Sequence, residues 1–167
     1  MSARLATPLD LELYKSLRLR ALRTDPHAFG STYKRELEFD DSTWLSRMSG
    51  FDGRPGAVFI DEVDGEATGI VGIACSELPS DIQLWGLWVA PEFRRGGAAQ
   101  HLVESAIEWS RQHDAKTVTL WVVRSNAAAI ALYERNGFAT VGEVASLPTN
   151  HSIDELAMQR QLLDEPS

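Results

Sequence analysis

Residues 88–110 read WVAPEFRRGGAAQHLVESAIEWS, and the centre of this stretch decides the fold. Upstream, Trp88 and Val89 close a run of strand-forming residues that Pro91 ends. Downstream, Leu102, Val103, Ala106, Ile107 and Trp109 recur at three-and-four spacing, which predicts an amphipathic helix over 97–113. A strand that passes straight into a helix leaves the first amide N–H groups without partners, and the aligned peptide dipoles add roughly half a positive charge there. Gly96, Gly97, Ala98 and Ala99 leave those amides bare enough for a bulky anion, and Arg94 and Arg95 stand beside them as countercharge. The same small residues also suit close packing of helix on sheet with solvated arginines, and the segment by itself fits both readings.

Working outward, a short opening strand leads to a helix over 11–25 with Asp10 as its cap. On that helix Leu17, Ala21 and Leu22 form the apolar stripe, and Lys15, Arg18, Arg20 and Arg23 read as a wet face. Pro26 and Gly30 mark 25–36 as a loop, and a second helical patch over 41–50 starts at a Ser42 cap and stops at Gly50. Residues 56–78 read as two strands turning at Asp64-Gly65. The strand over 81–91 contains Gly86, which marks a bulge or a close approach. A strand over 116–123 and a helix over 126–138 follow, the helix capped by Asn126 and ended by Asn136-Gly137. Two last strands, 138–145 and 153–162, flank a loop at 147–152. The order predicts an α/β protein, a mixed sheet covered by helices, with a strand-helix-strand unit over 82–123.

A chain of 167 residues suits one domain, 1–167, with one substantial core. Its formal charge of −8 disfavours nucleic acid and anionic membrane as partners. Apolar runs such as GIVGIA at 69–74 are too short to span a bilayer and the N-terminus lacks an export signal, so a cytoplasmic location is expected. Cys75, the one cysteine, reads as an inert thiol in a strand, and it makes no zinc-type spacing with His27, His101, His113 and His151; no metal is expected.

The glycine segment has neither the phosphate-loop pattern G-x-x-x-x-G-K-[ST] nor the dinucleotide pattern G-x-G-x-x-G. VAPEFRRGGAA instead resembles the pyrophosphate-binding signature [QR]-x-x-G-x-[GA] of the GNAT superfamily of N-acetyltransferases, with Arg94, Gly97 and Ala99 in its three specified places. About thirty residues on, NAAAIALYERNGF is similar to the family's N-x-x-A-x-x-x-Y-x-x-x-G-F segment, filled by Asn126, Ala129, Tyr133, Gly137 and Phe138. The resemblance covers nearly the whole chain, most firmly 57–138. It implies a GNAT fold, a mostly antiparallel sheet whose strands splay, and acetyl-CoA as cofactor.

The resemblance also implies roles. Arg94 and Arg95 with the 95–99 amides, at Gly96, Gly97, Ala98 and Ala99 among them, would seat the pyrophosphate, the pantetheine arm would run beside Trp88 and Val89, and an unpaired N–H near Val89 would hold the thioester oxygen. Tyr133 would protonate the departing thiolate, and Asn126, two turns earlier on the same helix face, would follow the pantetheine while capping its helix. The competing reading packs Tyr133 in the core. Many relatives carry a glutamate where Gln83 stands, and a glutamine positions water but takes up no proton. Glu77, Asp81 and His151 are substitutes, each also read as a solvated loop residue, and the base stays unassigned. Phe29, Tyr33 and Trp44 are either pocket or core.

The leading expectation is transfer of acetyl from acetyl-CoA to a primary amine of a small molecule, of polyamine, amino acid or aminoglycoside type. Alternatives are a protein N-terminus or lysine as acceptor, which needs an open groove, and a silent acyl-CoA sensor, suggested by Gln83. Family members are often homodimers, but no feature of the sequence decides this.

Overall fold

The computed structural model describes residues 2–51, 53–78 and 80–162. Its strands are β1 (Ser2–Leu5), β2 (Gly50–Phe51), β3 (Arg54–Val63), β4 (Glu66–Cys75), β5 (Asp81–Val89), β6 (Thr117–Val123), β7 (Ala139–Leu147) and β8 (Asn150–Gln161). The helices are α1 (Leu11–Thr24), α2 (Tyr33–Leu37), α3 (Asp41–Arg47), α4 (Ala98–Gln112) and α5 (Ala127–Arg135). The main sheet runs β1-β3-β4-β5-β6-β8-β7, with β2 added on β3. Its pairs are antiparallel except β5 and β6, which α4 joins as the expected crossover. The mixed, helix-flanked α/β sheet is therefore as the sequence reading had it.

Alternation along the strands sends apolar side chains to both faces, and a helical layer covers each. Leu102, Val103, Ala106 and Ile107 of α4 pack on Ile73, Leu84, Val118 and Leu120. On the opposite face Tyr14, Leu17, Ala21 and Leu22 of α1, with Trp44 of α3, pack on Val58, Ile60, Ile70 and Trp88. The β3–β4 turn is tight because both its residues accept left-handed backbone, Asp64 at φ 51° and Gly65 at φ 79°.

Several local readings are corrected. Asp10 precedes α1 but does not cap it, because its carboxylate is drawn to Arg4 at 2.9 Å and to the Thr7 N–H at 2.8 Å. The cap of α3 is Asp40, whose Oδ1 accepts from the Thr43 N–H at 2.8 Å; Ser42 lies inside the first turn. A short α2, capped by Thr32, occupies part of the stretch expected to be loop, and five residues are too few to show a helical period. The loop before the last strand shrinks to the turn at Pro148 and Thr149. Arg18, read as part of a wet face, is 4% exposed.

Candidate active site

The site is built by the way β5 leaves its neighbours. Its register against β4 slips between Ile70 and Gly72, leaving Gly86 and Leu87 bulged, and Gly86 takes φ 64°. On the other side β5 pairs with β6 only through Asp81–Gln83 and Thr117–Thr119. Beyond those rungs the two strands diverge. Asp81 clamps the root of the opening, accepting from Thr117 Oγ1 at 2.7 Å and Thr119 Oγ1 at 2.8 Å.

Val89 sits at the open end. It is paired with Gly69, and the Ala90 N–H donates to the Thr68 carbonyl at 2.8 Å, which makes Gly69 and Val89 a non-hydrogen-bonded pair. Both backbone polar groups of Val89 therefore point away from β4. Its carbonyl accepts from Arg94 Nε at 2.9 Å, and its N–H faces the gap toward β6. Arg94 Nη2 also donates to Asp25 Oδ2 at 2.8 Å, where the Trp88 Nε1–H donates too, at 2.8 Å. The Trp88 indole is buried under α1, below Arg20, so only the Trp88 backbone is left to face a ligand running beside β5.

The bare helix start is present. Arg95 at φ 72° and Gly97 at φ 90° turn the chain so that successive amides converge on α4, the kind of concave amide nest that holds anions. Gly96 is exposed, Ala98 is buried as the first helical residue and Ala99 is half-buried. Arg95 makes no ion pair among the described residues. His101 leans back over Gly97, its ring 3.8 Å from where a Cβ would stand, and is oriented by the buried Asp61 at 3.2 Å.

On α5, Asn126 is exposed and caps the helix, accepting from the Ala129 N–H at 3.2 Å. Tyr133 is 6% exposed and packs edge-on against Phe138 at 5.7 Å. Burial pushes its phenol well above the ordinary tyrosine value, and among the described residues its hydroxyl has no protein partner.

The other face of β5, β6 and β8 carries Gln83 and Trp85. Trp85 lies flat across Gly72, where any Cβ would collide with its ring. Gln83 is near Asp81, at 3.4 Å, while Asp81 is committed to its threonines and Glu77 and His151 are exposed. Sequence reasoning missed Glu155, which pairs with Val123 and so shares this face with Thr119 and Gln159. Burial raises its carboxyl pKa. The alternation of Glu155, Ala157 and Gln159 was the available signal. Cys75 is half-buried, with its thiol pushed up by burial.

Phe29, Tyr33 and Trp44 separate: Trp44 is fully buried core and Phe29 closes over Arg18 at 4.9 Å. Arg18 forks onto Glu36 through Nε at 2.9 Å and Nη2 at 3.0 Å, and Arg47 joins Glu36 at 2.9 Å. Burial pushes the Glu36 carboxyl up, but the Arg18 hydrogen bonds and both arginine charges outweigh it and hold it below the ordinary range. Arg18 Nη1 is buried without a hydrogen-bond partner, an arrangement that costs roughly 1–3 kcal/mol or more. Its spacing within Tyr14, Leu17, Ala21 and Leu22 was legible as a buried stripe.

The loop carrying Phe29 meets the β7–β8 turn. Thr149 Oγ1 donates to the Phe29 carbonyl at 3.1 Å, and Pro148 lies against Gly30.

The chain matches the acetyltransferase (GNAT) family over residues 17–138. It is 33% identical over 85 residues to an uncharacterized N-acetyltransferase of Methanocaldococcus jannaschii, covering 48% of this chain and 38% of that relative's length. Two solved structures share the fold. The ribosomal-protein-alanine N-acetyltransferase from Brucella melitensis superposes with TM-score 0.76 at 23% identity, covering 97% of this chain and 100% of its own. An acetyltransferase from Salmonella typhimurium, solved with acetyl-CoA, gives 0.78 at 18% identity over 100% of this chain and 96% of its own. With well over half of its sequence inside the family match, the chain belongs to the GNAT family, the acetyl-CoA-dependent N-acetyltransferases.

Proposed function

We propose that residues 1–167 form one catalytic domain that moves the acetyl group of acetyl-CoA directly to a primary amine of a small molecule. The observation that carries the chemistry is the Val89 N–H, released from β4 into a gap that starts at a bare helix end. The nest at 95–99 seats the pyrophosphate, with Arg95 as countercharge and Arg94 holding the turn through Val89 and Asp25. The thioester then lies along β5 with its oxygen on the Val89 N–H. One such donor lowers a barrier of this kind by about 2.7–4 kcal/mol.

The amine nitrogen attacks the thioester carbon, a C–N bond forms and the C–S bond breaks. Tyr133 supplies a proton to the departing sulfur; its raised pKa keeps the hydroxyl protonated and donating. The amine's proton goes to Glu155 through water placed by Gln83. Burial shifts that carboxyl toward the working pH, which suits a base. Asn126 combines its cap with a contact to the pantetheine.

The contact of Phe29 and Gly30 with Pro148 and Thr149 favours a small acceptor, since it bridges the two loops between which a polypeptide would have to lie. The second reading, a polypeptide N-terminus, is favoured by the Brucella neighbour, which is named for a protein substrate. A mixed panel of small amines and N-terminal peptides, with product mass as the readout, tests the choice. Acetylated small amines are expected; acetylated peptides alone would overturn the small-acceptor reading, and tight CoA binding with no product at all would favour the sensor.

A further inference from the structure

Arg18 is the buried charge whose hydrogen bonding is incomplete. Two of its nitrogens are spent on Glu36, at 2.9 and 3.0 Å. The third, Nη1, is enclosed without a partner and lies so close to the β5 bulge that a Cβ on Gly86 would stand 3.2 Å from it. The guanidinium is sandwiched by Phe29 at 4.9 Å and Trp85 at 5.7 Å, which fixes its plane. Gly86 is three residues before Val89 on the same strand, so Nη1 lies beside the strand along which the thioester is proposed to run.

From this geometry we propose that Arg18 Nη1 docks a carboxylate on the acceptor, so that the substrates are amino acids. The inference deepens the small-molecule reading above and rests on it. Polyamines bring only cationic groups, which a guanidinium held out of water repels, and aminoglycosides add only neutral oxygens to theirs; a carboxylate meets the remaining donor with a charge-assisted hydrogen bond. The bulge serves the same end, because a side chain at Gly86 would occupy the space the oxygen needs. Phe29, on the loop tied down by Thr149, is the wall of this site.

The test uses amines matched with and without a carboxylate: lysine against cadaverine, ornithine against putrescine, and alanine or β-alanine against ethylamine. In the wild-type enzyme kcat/KM should favour the carboxylate member by at least tenfold. The α- and ω-amino members show which spacing between amine and carboxylate the site takes. Arg18→Lys should reduce that preference at least fivefold, a ratio that mere loss of stability would not move. Because Arg18 also supports Glu36, a second measurement stands apart from the variant. A crystal structure with CoA and the preferred amino acid should place a carboxylate oxygen within hydrogen-bond distance of Nη1. Equal use of both members of each pair, or a water on Nη1 that the amino acid leaves in place, overturns the inference while acetyl transfer to amines stands. If only peptides are acetylated, both readings fall.

Discussion

Arg94 and Val89 are locked together: the guanidinium Nε donates to the Val89 carbonyl at 2.9 Å, five residues back along the chain, while Nη2 reaches Asp25 at 2.8 Å. The residue that the family signature would give to phosphate thus also fixes the peptide whose N–H is proposed to hold the thioester oxygen. Arg94→Ala should lower kcat by ten- to a hundredfold as well as weakening CoA, because an error of about 1 Å in such alignment has that effect. Arg94→Lys should recover little, as it lacks the fork that serves two acceptors. Arg95→Ala, with no carbonyl to hold, should raise the KM for acetyl-CoA and leave kcat near its starting value. Steady-state kinetics and calorimetry with CoA check the split.

The two glycines of the turn should part company. Gly96 has no left-handed requirement and the nearest atom to an added Cβ is the Phe93 carbonyl oxygen at 3.4 Å, so Gly96→Val should keep the melting temperature and cut CoA affinity at least tenfold. Gly97 is at φ 90°, so Gly97→Val should in addition lose about 1–3 kcal/mol of stability. Thermal melts beside CoA titrations tell the two apart. Undiminished affinity in Gly96→Val would remove the phosphates from this turn.

Tyr133→Phe should lower turnover ten- to a hundredfold and leave acetyl-CoA affinity within about twofold, measured where chemistry limits the rate. The introduced phenyl ring would keep the edge-on contact with Phe138. The buried phenol has a second consequence. Its folded pKa lies above the unfolded value of 10.0, so its contribution to stability is complete below about pH 10 and is lost as pH rises from there toward the folded pKa. The phenylalanine variant should lack that part of the alkaline loss in pH-dependent melts. Unchanged turnover would leave Tyr133 as core.

Glu155→Gln should reduce kcat/KM about a hundredfold. The wild-type acid limb should lie above the ordinary glutamate range, because burial raises this carboxyl and the base works only once deprotonated. In the glutamine variant that limb should disappear. Gln83→Glu offers the complementary experiment, restoring activity to Glu155→Gln if both positions reach the same water. A profile that Glu155→Gln leaves unmoved would exclude it as the base.

The glycine turn, the crossover unit and the hairpin at Asp64-Gly65 were legible because each depends on local chemistry: bare amides, period and positive φ. The face that Trp88 takes was not legible, because alternation through a bulge cannot be counted without knowing where the bulge falls, and Gly86 shifts the faces of everything after it. Arg18 was misplaced because its charge was weighed and its position was not; it lies within the stripe of Tyr14, Leu17, Ala21 and Leu22. Its partner Glu36 was out of reach, since α2 is too short to announce itself. For Glu155 the alternation with Ala157 and Gln159 gave its face on β8, but that this face joins the one carrying Gln83 depends on pairing between strands far apart in sequence.

The three rungs joining Asp81–Gln83 to Thr117–Thr119, fastened by one carboxylate, make the sheet two slabs sharing a short seam. A bound pantetheine arm, itself rich in amides, would act as a removable strand across that seam. The core under α4 holds the two slabs together on one face, so each turnover would remake only the edge-to-edge bonding of the open end.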